Sequence, residues 1–216
     1  MMHSLDYSLM LVTDRPLCLG RDLLDVVEQA LQAGVTAVQL REKQLPTREF
    51  VCLSRELKKR LQPRSIPLFI NDRLDVALAV GADGLHVGQE DMLVADVRAL
   101  AGLELAVGLS VNSIQDVMEA NTLAVDYLGA GPVFPTATKE DAKEALGIEG
   151  LQALIKSSRH PVVAIGSINQ GNVAQVIKAG AQGVAVVSAI CAAESPLEST
   201  AQLVRAIRNA RKQRTA

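Results

Sequence analysis

Short runs of β-branched and other apolar residues recur along this chain, and each is followed by a longer segment with the spacing of an amphipathic helix. The helix pattern is clear after the first run, where apolar residues from Leu23 to Leu31 fall on one helical face. Alternating buried strands and amphipathic helices are typical of an α/β protein with a parallel sheet. The eight candidate strands are Leu9–Thr13, Thr36–Leu40, Pro67–Ile70, Gly84–Val87, Leu105–Leu109, Tyr127–Ala130, Val162–Ile165 and Gly183–Val187.

The joints between helices and strands favour a closed barrel. Gly34, Gly81 and Gly180 each lead into a candidate strand, and glycine suits the residue just past a helix end because that residue often has a left-handed backbone. Their separations are close to multiples of a unit of roughly 25 residues, and eight such units make a compact (β/α)8 barrel. The alternative, an open doubly wound sheet, lacks its GxGxxG turn after the first strand. With no Pro-, Ser- or Gly-rich linker, we predict a single TIM-barrel domain over residues 1–216.

The composition limits the partners. Lys and Arg total 22 against 24 Asp and Glu, and aromatic residues make up 2% of the chain, which argues against nucleic acid. The basic residues from Arg205 to Arg214 are predicted to be the solvated face and frayed end of a last helix. No apolar stretch approaches the ~18 residues of a membrane span, and the start lacks a basic leader. We therefore expect a cytoplasmic protein without nucleic-acid or membrane partners, and a homo-oligomer of modest size is compatible with the sequence.

The three cysteines do not form a site. Cys18, Cys52 and Cys191 are far apart and show no CxxC or Cys/His ligand spacing. We expect reduced thiols without a catalytic role.

The second candidate strand ends in a polar segment, Gln39-Leu40-Arg41-Glu42-Lys43. Because side chains alternate along a strand, Gln39, Arg41 and Lys43 share one face, which is the barrel mouth if Val38 and Leu40 pack under the helices. An arginine fork, a lysine charge and an amide together suit phosphate oxygens. A solvated strand end is the alternative for this segment taken alone.

Acidic residues follow the third and fourth strands. Asn71, Asp72 and Asp91 could each cap a helix, which is the favoured interpretation for each residue alone. Together, on adjacent loops beside a cationic trio, the carboxylates suggest oxygen ligands for Mg²⁺. His86, at the end of the fourth strand, is interpreted as a hydrogen-bonded structural histidine more readily than as a base.

Three further loops suggest a second anion site. The segment Gly129–Lys139 combines glycines, prolines, two threonines and a lysine, so both backbone and side chains can approach anionic oxygens. The loops after the seventh and eighth strands, around Gly166 and Ser188, lie where barrels commonly bind a phosphate monoester. Ordinary tight turns are the alternative for either loop alone. A diphosphate site, a monophosphate site and a divalent metal together suggest group transfer with pyrophosphate as the leaving group.

Five segments resemble the thiamine phosphate synthase family: QLREK, FINDRLDVALAVGADGLHVGQED, VGLSVNS, DYLGAGPVFPTATK and PVVAIGSI. They occur in the family's order and spacing from Gln39 to Ser188. The resemblance implies a TIM-barrel transferase that joins 4-amino-5-hydroxymethyl-2-methylpyrimidine diphosphate to a thiazole phosphate, or its carboxylated form, giving thiamine phosphate and pyrophosphate. In that mechanism the diphosphate departs first, and the thiazole nitrogen captures the pyrimidinylmethyl cation.

The resemblance also implies a role for each matching residue. The pyrimidine diphosphate would contact Gln39, Arg41, Lys43, Asn71, Ser110 and Lys139, of which Arg41, Lys43, Ser110 and Lys139 would be catalytic. The thiazole phosphate would contact Thr136, Ala137, Thr138, Gly166, Val187 and Ser188. Mg²⁺ would be the cofactor, held by Asp72 and Asp91.

The sequence departs from the family pattern after Gly166, where Ser167 replaces a second glycine. Its Cβ could weaken binding of the thiazole phosphate, or its hydroxyl could add a donor. Two other functions stay open. One is a thiazole tautomerase of the same fold. That relative resembles this family but has a histidine in the GPVF segment, where this chain has Pro132. A non-catalytic sensor of phosphorylated metabolites would not need Asp72 and Asp91.

Overall fold

The computed structural model describes residues 5–135 and 144–215, and its strands close into a parallel barrel. Each strand pairs with its neighbour in sequence, and the eighth pairs with the first. This closure confirms the TIM barrel, excludes the open sheet and matches the eight predicted strands to within two residues at each end. The strands are β1 (Leu9–Val12), β2 (Ala37–Leu40), β3 (Leu68–Asn71), β4 (Gly84–Val87), β5 (Ala106–Val111), β6 (Tyr127–Ala130), β7 (Val162–Ile165) and β8 (Gly183–Val186).

Helices follow the strands and surround them. They are α1 (Leu23–Ala33), α2 (Thr47–Leu61), α3 (Leu74–Val80), α4 (Val94–Ala101), α5 (Ile114–Ala120), α6 (Gly147–Ser157), α7 (Val173–Lys178), α8 (Ser188–Cys191) and α9 (Pro196–Thr215). The predicted left-handed glycines are confirmed, with φ of 103° at Gly34, 61° at Gly81 and 111° at Gly180. Within residues 5–135 and 144–215, no helix combines the length and the apolar character needed to cross a bilayer.

Two apolar layers lie on opposite sides of the strands. Val38 and Leu40 belong to the layer between barrel and helices, as the alternation in β2 predicts. Inside the barrel, Tyr127 packs against Tyr7 and Phe69 at ring-centroid distances of 4.8 Å and 5.6 Å. A Cβ at position 108 would lie 2.2 Å from the Tyr127 ring, so only glycine leaves room for this ring. The aromatic cluster fills the barrel beneath the polar residues of the mouth.

The last helix is anchored where the sequence suggested a frayed end. Arg211 donates hydrogen bonds to the Ser8 hydroxyl and the Gln182 carbonyl. Arg214 donates to the carbonyl of Ile177 at 3.1 Å. The prediction of a purely solvated basic face is therefore wrong for these two residues, because their long side chains reach backbone carbonyls that a helical pattern cannot reveal.

The cysteines differ in accessibility. Cys18 and Cys191 are buried and Cys52 is exposed, and all three are free thiols. Burial raises the pKa of Cys191 to about 12 and also raises that of Cys18. Since the thiolate is the reactive form, the two buried thiols are protected both by access and by protonation.

We expect a thiol reagent such as Ellman's reagent to modify one cysteine rapidly in the native protein and all three in denaturant. In a Cys52→Ser variant, the rapid native phase should disappear because the remaining thiols are buried. Absorbance of the released thionitrobenzoate measures both results. Rapid modification of two or more thiols in the native protein would contradict the burial of Cys18 and Cys191.

Candidate active site

Two cations lie just beyond the carboxyl end of β2, each beside a carboxylate. Arg41 Nη1 lies 3.3 Å from Asp14 Oδ2, and the Arg41 backbone N–H donates to the Thr13 hydroxyl at 3.0 Å. Lys43 Nζ lies 3.6 Å from Asp72 Oδ2 and its side chain is 59% exposed. The structure thus brings Arg41 and Lys43 to the mouth, as predicted. Asp14 was not predicted as a site residue, although it lies in the loop after β1, where barrel functional residues occur.

Gln39 lies deeper than the two cations. It is 5% exposed, and its amide nitrogen is 3.8 Å from Met10 Sδ. Met10 belongs to the cluster of Tyr7, Phe69 and Tyr127 inside the barrel, so Gln39 lies between this cluster and the polar mouth.

Asp72 and Asp91 lie on neighbouring loops. Asn71, the half-buried last residue of β3, pairs in register with His86 of β4, and the Asp72 N–H donates to the His86 carbonyl at 2.8 Å. Asp72 has a left-handed φ of 63°, a conformation that aspartate tolerates better than most residues. Asp91 Oδ2 accepts from the Gly88 N–H at 2.6 Å.

The helix-cap interpretation of these acidic residues is wrong. The residue that precedes α3 at its N-terminus is Arg73, and the one that precedes α4 is Leu93. Asp72 instead directly follows β3, and Asp91 closes a turn after β4. Both carboxylates lie in loops that follow the carboxyl ends of barrel strands, where the mouth is.

The donor set fits a hard divalent cation bound together with an anionic substrate. Carboxylate oxygens are the ligands that Mg²⁺ uses, and it normally takes only one or two from the protein. Asp72 already accommodates a positive group, the Lys43 ammonium at 3.6 Å. In residues 5–135 and 144–215 there is no cluster of three or more His, Cys, Asp or Glu that could bind a metal by itself. Two carboxylates are thus consistent with an ion completed by substrate and water.

A buried hydrogen-bond chain links three strands below the mouth. His86 Nδ1 lies 2.8 Å from the Tyr127 hydroxyl, and His86 Nε2 lies 2.9 Å from Ser110 Oγ. His86 is thus hydrogen-bonded through both ring nitrogens, as the sequence interpretation favoured. Tyr127 was missed, although a tyrosine on the inner face of a barrel strand needs a polar partner for its hydroxyl.

The segment after β6 is tied to the loop after β7. Val133 N–H donates to the Ile165 carbonyl at 2.8 Å, and the Ser167 hydroxyl donates to the Pro135 carbonyl at 2.7 Å. Gly166 has a φ of 111°, and a Cβ there would lie 2.6 Å from Pro132 Cα. The peptide bond between Gly131 and Pro132 is cis. Ser167 therefore uses its hydroxyl to hold the neighbouring segment.

A cavity of about 250 Å³ lies between the loops that follow β7 and β8. Ser167 and Asn169 line one side, and Ser188 with Ala189 lines the other. Gly166 and Val187 immediately precede these lining residues, so three of the predicted phosphate contacts meet here. The remaining predicted residues, Thr136, Ala137, Thr138 and Lys139, lie outside the described part of the chain.

Comparison with known proteins gives a consistent result. A family model described as thiamine monophosphate synthase matches residues 9–190. The thiamine-phosphate synthase of Albidiferax ferrireducens is 51% identical over 90% of this chain and 89% of its own. That of Syntrophomonas wolfei is 48% identical over 94% and 96% of the two chains. The solved thiamine phosphate pyrophosphorylase of Pyrococcus furiosus superposes with a TM-score of 0.89 at 39% identity, covering 96% of this chain and 98% of that one.

Proposed function

The chain belongs to the thiamine monophosphate synthase family, and we propose that its barrel mouth holds the two phosphorylated substrates side by side. The enzyme is a transferase that condenses 4-amino-5-hydroxymethyl-2-methylpyrimidine diphosphate with a thiazole phosphate, giving thiamine phosphate and pyrophosphate. The assignment of substrates rests on one observation, which is that two polar sites open at the same mouth of the barrel. One lies at the carboxyl ends of the strands from β2 to β5, and the other follows β7 and β8.

The first site suits the diphosphate. Arg41 offers a planar fork and Lys43 a point charge, and both are already within 4 Å of carboxylates that orient them. A unit charge ~4 Å from another contributes about 4 kcal/mol at an effective dielectric near 20. Arg41, Lys43 and Lys139 together would therefore stabilise the charge that grows on the leaving group. Asn71, Ser110 and Gln39 would complete this site.

Asp72 and Asp91 would hold Mg²⁺ at the same site. When bound, the ion would neutralise diphosphate charge and help the diphosphate to leave. Lys43 contributes to this arrangement because it sits beside Asp72 and would face the same phosphate oxygens. Asp72 would therefore keep two positive groups beside the leaving group, the Lys43 ammonium and the metal ion.

The reaction follows from this charge distribution. The bond from the methylene carbon to the diphosphate oxygen breaks, and its electron pair leaves with the diphosphate. The thiazole nitrogen then supplies a lone pair to the methylene carbon and forms the new C–N bond. The amino group of the pyrimidine ring stabilises the cation formed between these steps. No proton is transferred, so the enzyme requires no general base, and the chief task of the residues is electrostatic.

The second site suits the thiazole phosphate. Backbone around Gly166 and Val187, with the Ser188 hydroxyl, would contact the phosphate in the cavity between the last two loops. Thr136, Ala137 and Thr138 would contact it from the segment after β6. This arrangement would put the thiazole beside the pyrimidine at the shared mouth.

Incubation with both substrates tests the proposal. Thiamine phosphate and pyrophosphate should appear in equal amounts, and chelation of divalent metal should stop the reaction until Mg²⁺ is restored. A tautomerase would isomerise the thiazole compound without releasing pyrophosphate. A sensor would bind the substrates without turnover. Full product formation after chelation would contradict the assignment of Asp72 and Asp91.

We expect Ser167→Ala to raise the KM for the thiazole phosphate by roughly two- to tenfold, the equivalent of one lost hydrogen bond. The reason is the lost contact with the Pro135 carbonyl, which holds the segment after β6 against the second site. Steady-state kinetics with each substrate varied in turn measures the effect. The KM for the pyrimidine diphosphate is the internal control, and an equal rise in both constants would contradict a role confined to the second site.

A further inference from the structure

The hydrogen-bond chain beneath the mouth has one direction along its length. The Tyr127 phenol is fully buried, and burial raises its pKa well above the usual value, so it keeps its proton. A buried hydroxyl needs a hydrogen-bond acceptor, and within the described part of the chain the Tyr127 hydroxyl bonds to His86 Nδ1. The phenol proton is therefore available to His86 Nδ1, 2.8 Å away.

The direction of the hydrogen bond at His86 Nδ1 fixes the direction of the hydrogen bond at Nε2. A neutral imidazole that accepts at Nδ1 carries its proton on Nε2. Nε2 then donates to Ser110 Oγ at 2.9 Å. Because the serine oxygen accepts this bond, its own proton is left for another acceptor. Ser110 is half-buried near the carboxyl end of β5, where the mouth begins.

The imidazole is also fixed sterically. His86 is 9% exposed, and a Cβ at position 129 would lie 2.8 Å from His86 Cε1. Glycine at 129 thus allows the ring to lie against β6, where it contacts Tyr127 on one side and Ser110 on the other. Packing and hydrogen bonding select the same ring orientation.

We propose that His86, oriented by Tyr127, is a positioning residue that turns the Ser110 hydroxyl into a hydrogen-bond donor for the diphosphate. This inference rests on the proposed assignment of Ser110 to the diphosphate site. A donor aimed in advance at a departing anion is worth more in the transition state than in the ground state. His86 thereby affects kcat more than the KM for the pyrimidine diphosphate.

Two substitutions of His86 separate its two hydrogen bonds. In His86→Asn the amide can reach the position of Nδ1 but not that of Nε2, so the contact with Ser110 is lost. In His86→Gln the amide can reach the position of Nε2 and donate to Ser110. We expect His86→Asn to lower kcat by roughly 10- to 100-fold, the range typical for residues that orient an active-site group. His86→Gln should recover much of that loss, with little change in the KM for the pyrimidine diphosphate.

A double-mutant cycle with Ser110→Ala gives the decisive result. If His86 acts through Ser110, the His86→Asn/Ser110→Ala protein should be no slower than Ser110→Ala alone. A merely structural His86 would lower kcat independently, so the two losses would multiply, and that result would overturn the inference. Normal kcat in Ser110→Ala would overturn both the inference and the assignment of Ser110. Thermal unfolding of each variant confirms that folded protein is assayed.

Substitutions of two tyrosines form a matched pair that tests the hydrogen bond between Tyr127 and His86. Tyr127→Phe removes the donor to Nδ1 and should lower kcat. Tyr7→Phe removes a hydroxyl from the adjacent ring of the same cluster, 4.8 Å away between centroids, and should leave kcat unchanged. Equal effects of the two substitutions would contradict the proposed chain.

Discussion

Asp72→Asn is expected to lower the turnover of thiamine phosphate formation by about 100-fold or more, the scale of losing one preorganised electrostatic group. The substitution keeps the size of the side chain and removes its charge. Asp72 adjoins Lys43 at 3.6 Å, so the change weakens both the positioning of this cation and the carboxylate pair proposed for Mg²⁺. The kcat at saturating substrates measures the loss. The Mg²⁺ concentration for half-maximal rate should rise in parallel.

Asp75→Asn is the matched control for Asp72→Asn. Asp75 lies three residues further along the chain, in the first turn of α3, and pairs with Arg73 at 2.6 Å. The contact with Arg73 lowers the pKa of the Asp75 carboxyl, so the negative charge of Asp75 is paired with Arg73 at the surface. We expect Asp75→Asn to retain normal turnover and normal dependence on Mg²⁺. Near-normal turnover in Asp72→Asn would remove Asp72 from the mechanism.

The architecture follows from the sequence because strand and helix periodicities report burial directly. The alternation in β2 places Val38 and Leu40 outside and Gln39 inside, and the same rule carries Arg41 and Lys43 to the mouth. Left-handed glycines mark the helix ends for an equally local reason. These features depend on residues that are close in sequence, so one amino-acid sequence is enough to predict them.

The missing parts of the site depend on contacts between distant segments. Asp14 is recognisable as a partner only when β1 and β2 are side by side, because its ion pair with Arg41 joins adjacent loops. Tyr127 lies on β6 and His86 on β4, with β5 between them, and their side chains meet inside the barrel. Neither contact produces a periodic pattern, and no local motif marks them.

Ser167 departs from the family pattern, and its role is visible only in the three-dimensional structure. In sequence it stands where a second glycine is usual, and either a weaker site or an added donor could follow. In the structure its φ is 48° and its hydroxyl bonds the Pro135 carbonyl. The side chain thus stabilises an adjacent segment, an outcome that neither alternative included.

Gly166→Ala is expected to raise the KM for the thiazole phosphate more than tenfold and to lower the free energy of unfolding by about 2–3 kcal/mol. Two costs combine at this residue. Its φ of 111° is unfavourable for alanine, and the new Cβ would lie 2.6 Å from Pro132 Cα and 2.8 Å from Val133 N. The segment after β6 must therefore move away from β7, which widens the second site.

Gly20→Ala separates these two costs. Gly20 also has a positive φ, 81°, but no atom lies within 4 Å of the position of its Cβ. It should therefore show the conformational cost of about 1–2 kcal/mol without any change in either KM. Chemical denaturation gives the stabilities and steady-state kinetics gives the Michaelis constants. If Gly166→Ala bound the thiazole phosphate as tightly as Gly20→Ala, the close contact between the loops after β6 and β7 would have no part in forming the second site.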